Sequence, residues 1–183
     1  MSVHADLLRQ LQTEQTLIDL YRDRLSQDSL TGVVSGFTDT FVYLSLFSED
    51  GLPNGISVVH LGDVTRIRWQ GNALLSIQAL IDAKASRPTV PELDLESTRS
   101  VLESIHKAFG YVNVMTENSN SSITFIGEIA QIDDISFVLN EFGTMKTWQT
   151  AHLWLRIGDV TRADADAQYE RDIQFLAEQR RST

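Results

Sequence analysis

The sequence has 183 residues, of which 42% are apolar and only three are proline, and this composition predicts an ordered globular protein. It contains no cysteine, which excludes disulfides and thiolate metal sites. The formal charge of −10 disfavours nucleic acid as a partner, since phosphate-binding surfaces are typically basic. The N-terminus lacks the apolar run of a signal peptide, and no stretch approaches the ~20 apolar residues of a membrane span. We therefore expect a cytoplasmic protein with no membrane partner.

The first half of the chain predicts a helix, several strands and a second helix. Apolar residues at helical spacing predict a helix over residues 5–25. Runs rich in β-branched and aromatic residues predict four strands at 30–37, 41–47, 55–61 and 64–69. A helix is predicted over 72–85. No first strand is evident before Leu30.

The second half predicts the same order of elements. Residues 86–91 contain two of the three prolines and are typical of a linker. A helix is predicted over 95–109 and a closing helix over 164–179, with Ala165, Tyr169, Ile173 and Leu176 on its inner stripe. Between them, five strands are predicted at 111–116, 123–132, 135–142, 150–156 and 160–163.

An internal repeat links the two halves. The segment LGDVTR at 61–66 recurs as IGDVTR at 157–162. Upstream, Gly32 aligns with Gly127 and Leu44 with Leu139, and one inserted residue in the following loop accounts for the change of register. The sequence therefore predicts two tandem copies, at 1–85 and 92–183, joined by the linker at 86–91.

The order of elements and one motif suggest a family. Gly127, an aliphatic residue at Ile129 and Asp133 precede a strand, where glycine lets a strand bend sharply and the aspartate organises the tight turn. A helix, five short strands and this motif resemble the Sm and Sm-like (LSm) family, over most of 92–164 and less completely over 28–70. The resemblance implies a mainly β, α+β fold with two tandem Sm-like (SH3-type) small β-barrels, each preceded and followed by a helix. The first barrel could be open, or a neighbour could complete it.

The residues that bind RNA in that family are only partly present. The family's base-cradling asparagine is replaced by Phe137 in the second copy and by Val42 in the first. Its stacking arginine matches Arg156, but His60 takes the corresponding position in the first copy. The resemblance therefore implies the fold without its usual base-binding site.

The alternation of side chains along the predicted strand 150–156 indicates which residues could contact RNA or a protein partner. It places His152, Trp154 and Arg156 on the face opposite the core, where a tryptophan beside an arginine could stack on a base. The favoured alternative is that Trp154 packs under a flanking helix or in a subunit interface. Arginines near the last strands of each copy could contact phosphate, although solvation or pairing with nearby aspartates is favoured. These arginines are Arg66, Arg68 and Arg162.

Residues for catalysis, metal binding or a cofactor are not evident in the sequence. Asp133 and Asp134 are adjacent, but neighbouring carboxylates in a turn usually point apart, so turn formation is the better interpretation. The four histidines have no ligand spacing, and the sequence has no nucleotide or nucleophile motif. We therefore expect a protein that is not an enzyme and has no cofactor.

The preferred hypothesis is a binding or assembly protein that uses its strand edges and outer faces to contact a protein partner or another copy of itself. If each copy stands for one ring subunit, three chains would form a ring of six units. The alternative is an RNA-binding regulator that uses Arg156 and Trp154. A second alternative, supported only by charge and size, is an acidic immunity or antitoxin-type protein.

Overall fold

The computed structural model describes residues 3–120, 122–145 and 150–181, with the side chain of Arg181 excepted. The chain divides into two compact units, Met1–Val90 and Pro91–Thr183. Each unit contains a helix, four strands, a short 3-10 turn, a fifth strand and a closing helix. The loop that was expected to hold the inserted residue of the second copy includes residues 146–149, which lie outside the described residues.

Unit 1 has one helix on each face of a five-stranded sheet. Its elements are α1 (Val3–Thr13), β1 (Ile18–Tyr21), β2 (Leu30–Phe37), β3 (Phe41–Phe47), β4 (Pro53–His60), a 3-10 turn (Leu61–Asp63), β5 (Arg66–Trp69) and α2 (Asn72–Lys84). The strands lie in the order β5-β1-β2-β3-β4, and their pairings are antiparallel. Leu8 and Leu11 of α1 join one apolar cluster. Leu74 and Ile81 of α2 join a second one with Phe47.

Unit 2 repeats this arrangement. Its elements are α3 (Thr98–Phe109), β6 (Val112–Met115), β7 (Thr124–Ile132), β8 (Ser136–Glu141), β9 (Ala151–Arg156), a 3-10 turn (Ile157–Asp159), β10 (Arg162–Ala165) and α4 (Gln168–Arg181). The strands lie in the order β10-β6-β7-β8-β9. Leu102 and Ile105 of α3 and Ile173 of α4 are buried.

The predicted closed barrels are wrong. The strands form an open antiparallel sheet: among the described residues, β5 does not pair with β4, and β10 does not pair with β9. In unit 1, Leu8 and Leu11 pack into the cluster of sheet residues, so a helix covers the inner face that barrel closure would have covered. The mixed α+β content agrees with the sequence-based expectation, but the closure does not.

The predicted helix over 5–25 is also wrong beyond Thr13. Gln15 has a φ of 50°, a conformation that breaks a helix, and β1 follows it. The first copy therefore has the first strand that the sequence did not reveal. In unit 2, β10 extends to Ala165 and Asp166 has a φ of 65°, so the closing helix begins at Gln168 rather than at 164.

Two glycines at matching positions allow adjacent strands to approach closely. A Cβ added to Gly32 would lie 2.3 Å from the carbonyl oxygen of Ser45, and one added to Gly127 would lie 2.2 Å from that of Asn140. Each pairing also has a register shift nearby, between Val34 and Gly36 in β2 and between 129 and 131 in β7. The neighbouring strands therefore approach closely at equivalent positions of the two units, where a side chain would not fit.

Candidate functional site

The repeated segment LGDVTR/IGDVTR holds the fifth strand of each unit to the end of the first. The hydroxyl of Thr65 donates to the Asp23 carboxylate at 2.5 Å and accepts from the Asp23 amide at 3.1 Å. In unit 2, Thr161 donates to Glu117 at 2.7 Å and accepts from its amide at 3.1 Å. Sequence reasoning found the repeat but not this threonine–carboxylate clasp, because the carboxylates lie more than forty residues away.

The predicted contact residues Arg66 and Arg68 lie together on β5, over the ring of Tyr21. The Cζ of Arg66 is 3.6 Å from the ring centroid and that of Arg68 is 5.7 Å away. Arg66 donates two hydrogen bonds of 3.0 Å to Asp23, and Arg68 binds the buried Asp19 at 2.6 Å. The charges of both arginines are therefore directed at the carboxylates of this unit.

The contacts of Arg66 and Thr65 also change the pKa of the Asp23 carboxyl group. Hydrogen bonds from Arg66 and then from Thr65 lower the pKa of Asp23 from 3.8 to about 2. Asp23 therefore remains ionised down to strongly acidic solution, and the clasp keeps its charge-assisted form over that range.

A groove of about 520 Å³ lies beside β5 in unit 1. Apolar side chains from α1, the 3-10 turn and β5 form most of its lining, among them Leu7, Leu61 and Ile67. Polar side chains also line it: His4, Asp39 and Arg66. An apolar surface therefore continues from the body of unit 1 to its last strand.

The residues predicted to face outward on β9 share one face. His152, Trp154 and Arg156 are exposed and alternate with half-buried residues along β9. Trp154 is 60% exposed within one chain, so it does not pack under a flanking helix, and its alternative place in a subunit interface stays a prediction. The Cζ of Arg156 lies 5.8 Å from the Trp154 ring centroid. His152 Nδ1 lies 2.7 Å from Asn140 Oδ1 on the adjacent strand.

The hydrogen-bond pattern of β9 shows where its backbone points. The amide of Ile157 donates to the carbonyl of Ile135 at 2.9 Å, and the register pairs Arg156 with Ser136. Since hydrogen-bonded and non-hydrogen-bonded pairs alternate in an antiparallel ladder, the N–H groups of His152, Trp154 and Arg156 point away from β8. Among the described residues of unit 2, no strand pairs with that side of β9. It is an open edge.

The two remaining predicted residues lie elsewhere. Arg162 of β10 does not present its charge at the surface: its side chain is 18% exposed and pairs with Asp164, whose side chain is 6% exposed. His60 ends β4 and packs against Phe41 in a tilted arrangement, with ring centroids 4.8 Å apart. Phe137 and Val42, which replace the family's base-cradling asparagine, are both buried.

The turn between β7 and β8 is formed as the sequence predicted. Asp133 Oδ1 accepts hydrogen bonds of 2.8 Å from the amides of Ile135 and Ser136. These bonds lower the pKa of Asp133. Asp134 points elsewhere and binds Arg99 of α3 at 2.8 Å, so the adjacent carboxylates do not form a shared site.

Sequence reasoning missed a buried polar cluster in unit 2. Glu170 of α4, Asn113 of β6 and Asp164 of β10 are all at least 95% buried. Asn113 Nδ2 donates to Glu170 Oε1 at 2.6 Å. A signal was available in the alignment of the repeats, which places Glu170 on the apolar Leu74 of α2.

The described residues contain neither a metal-ligand cluster nor a membrane-spanning helix. In the described ranges, three or more His, Asp or Glu side chains nowhere come together in a group that could hold a metal ion. Of the helices that the structure describes, none has the length and apolar character needed to cross a membrane.

Comparison with known proteins finds no relatives of this chain. No model of a protein family matches it, and the searches of curated proteins and of solved structures return no match.

Proposed function

We propose that this protein is a non-catalytic assembly protein that associates with further copies of itself through the open strand edges β5 and β9. The observation that carries the proposal is the open side of β9, where the N–H groups of three alternate residues face no strand among the described residues of unit 2. Unpaired edges of this kind are templates for adding a strand from another chain. The resemblance to the Sm-like family and the cytoplasmic setting stay predictions.

The composition of the two edges supports this proposal. Proteins protect exposed edges with proline, with bulges or with charges directed into the path of a new strand. Neither β5 nor β9 contains a proline or an acidic residue. The cationic groups of Arg66 and Arg68 bind Asp23 and Asp19, beside β1, and are not directed beyond the edge. Both edges therefore lack proline and acidic residues, and their remaining protection is the four-residue length of β5 and the exposed Arg156 of β9.

The groove beside β5 provides a reason for a second copy to be the partner. Ile67 of β5 lines the groove, so a strand paired with β5 would direct alternate side chains towards its apolar wall. On β9, Leu153 and Leu155 alternate with the exposed residues and are only half-buried within one chain. A head-to-tail contact between β9 of one copy and β5 of the next would bury these leucines, and repeated contacts would form a closed ring or a filament.

Two substitutions at one position test this proposal. The N–H of Trp154 points to the open edge, so Trp154→Pro removes an outward donor without removing a hydrogen bond to β8. Trp154→Ala removes the ring and keeps the donor. We expect the proline variant to lose the assembled species in light scattering after size-exclusion chromatography, and the alanine variant to keep most of it.

Far-ultraviolet circular dichroism of both variants serves as the folding control. A folded Trp154→Pro variant that assembles as the wild type does would refute pairing at β9. Equal loss of assembly in the two variants would show that the ring, and not the backbone edge, makes the contact.

A second candidate function is binding of single-stranded RNA on the outer face of β9. The specific observation in its favour is the exposed Trp154 with the Arg156 guanidinium 5.8 Å from its ring centroid. Stacking on such a platform contributes about 1–3 kcal/mol per base. A fluorescent oligouridine that binds with an affinity falling steeply with salt, and that fails to bind Arg156→Ala, would favour this function. The charge of −10 argues against it.

A further inference from the structure

The first turn of α4 is attached to the sheet of unit 2 through a buried carboxyl group. Glu170 Oε1 accepts from Asn113 of β6 at 2.6 Å, and its Oε2 accepts from the amide of Ala167, just before the helix, at 3.0 Å. The second contact has the geometry of a capping box, in which a glutamate in the first turn binds back to the start of its own helix. One side chain therefore both begins α4 and fixes it to β6.

The charged groups around Glu170 come from three elements. Asp164 of β10 is a second buried carboxylate close to Glu170. Arg162 of β10 donates to Asp164 at 2.8 Å, so its charge is mainly directed there, and Glu117 also acts on Arg162. At the turn before α4, the hydroxyl of Tyr111 accepts from the amide of Asp166, and Arg171 of α4 binds the Asp166 side chain.

Asn113 completes the attachment on the sheet side. Its Oδ1 accepts a hydrogen bond from the Thr124 hydroxyl of β7, which orients its Nδ2 towards Glu170. Glu170 is 3% exposed and Asp164 is 4% exposed. Because Arg162 compensates the charge of Asp164, ionisation of both carboxyl groups would leave one negative charge uncompensated in a site with little water, which is unfavourable.

We propose that Glu170, held between Asn113 and Asp164, is a proton-sensitive latch that keeps α4 docked on unit 2 in mildly acidic solution and loosens it in mildly alkaline solution. Loosening would expose Ile173 and Ala177, the buried apolar residues of α4. This inference does not depend on assembly through the strand edges.

The direction of the effect follows from linkage. Burial and then the charge of Asp164 raise the pKa of Glu170 from 4.5 to about 7, against the opposing effects of the Asn113 and Ala167 hydrogen bonds and of Arg162. Between pH 4.5 and about pH 7, Glu170 is protonated when α4 is docked and ionised when it is not, so the docked helix binds more protons. Docking is therefore strongest below about pH 4.5, weakens as the pH rises to about 7, and is constant above it.

Hydrogen exchange of the full chain, measured by mass spectrometry and corrected for the intrinsic pH dependence, tests the latch. We expect the opening constant of α4 to rise at least about tenfold between pH 5.5 and pH 8, whereas α3 in the same unit changes little. In Glu170→Gln, which keeps the shape and an acceptor oxygen but cannot ionise, we expect a change below about twofold.

Glu178→Gln, at an exposed glutamate on the same helix, is the matched control and should behave as the wild type. Wild-type α4 whose corrected exchange is independent of pH would overturn the proposal, and so would a pH dependence that persists in Glu170→Gln. If Glu170→Gln does not fold, carboxyl ¹³C NMR of the wild type decides. A Glu170 titration midpoint near 7 supports the latch, and one near the ordinary 4.5 refutes it.

Discussion

The two units use one backbone plan and fill it with different polar groups. Unit 1 has the apolar Leu74 at the position in its closing helix where unit 2 has Glu170. On the first strand, unit 1 has Asp19, bound to Arg68 at 2.6 Å, whereas unit 2 has Asn113 facing two carboxylates. A paired charge in one unit thus corresponds to an acid-rich cluster in the other.

The comparison shows which features both units keep and which side chains differ between them. The units share the glycine at the strand bend and the threonine clasp, and they share a residue of φ 65° before the closing helix, Gln70 in one and Asp166 in the other. These features determine how closely the second and third strands approach, how the fifth strand is held to the first, and where the chain turns into the closing helix. The side chains between strand and closing helix are free to diverge as long as their hydrogen bonds are satisfied.

The largest expected effect comes from the shared glycines. Gly32→Ala or Gly127→Ala places a Cβ within 2.3 Å of a neighbouring carbonyl oxygen, so the strands must separate. We expect each variant to lose about 3 kcal/mol or more of the free energy of unfolding in urea denaturation.

Gly62→Ala and Gly158→Ala are the controls for these variants, because an added Cβ meets no atom within 4 Å at either position. Both should lie within about 0.5 kcal/mol of the wild type. Similar losses in all four variants would show that close strand approach is not what the shared glycines provide.

The clasp should matter more in unit 2 than in unit 1. Thr161 and Glu117 are buried, so Thr161→Val leaves a buried amide and carboxylate without the hydroxyl, and we expect a loss of about 1–3 kcal/mol in thermal unfolding. The Thr65–Asp23 contact is exposed, so water can replace the lost hydroxyl, and we expect Thr65→Val to be less destabilising than Thr161→Val. The reverse ranking would contradict the difference in burial between the copies.

The smallest expected effect is the response of unit 1 to acid. The pKa of Asp23 is lowered to about 2, so the stabilisation from its ion pair is present above about pH 4 and is lost as the pH falls towards 2. Asp23→Asn should therefore be less stable than the wild type at pH 6, and the difference in melting temperature should shrink as the pH falls from about 4 through 2. A constant difference across this range would exclude the Arg66 ion pair as its cause.

Local patterns predicted the elements whose ends carry strong turn signals. The bounds of β2 and β3 agree with the prediction, since β-branched and aromatic runs end there at the Thr38-Asp39 turn. β1 was missed because its residues Ile18 and Tyr21 also fit the apolar spacing of the helix before it. A strand of four residues carries too few alternations to be distinguished from a frayed helix end.

The open sheet and the buried cluster depend on contacts between distant residues. Side-chain alternation shows which face of a strand is buried, but not whether the first and last strands meet. The predicted inner stripe of the closing helix included Tyr169, yet Tyr169 is exposed and Glu170 is buried. A glutamate is ordinarily a surface residue, and only its partner Asn113, 57 residues away, explains its burial.

The absolute mass of the untagged wild-type protein, from size-exclusion chromatography with light scattering at low salt, tests the proposed assembly most directly. The 260/280 nm absorbance ratio is recorded on the same peak. If the edges β5 and β9 join copies of this chain, the mass will be a multiple of 20.6 kDa, with the absorbance ratio of protein alone. A 20.6 kDa monomer would contradict the assembly, and a species with high 260 nm absorbance would favour RNA binding.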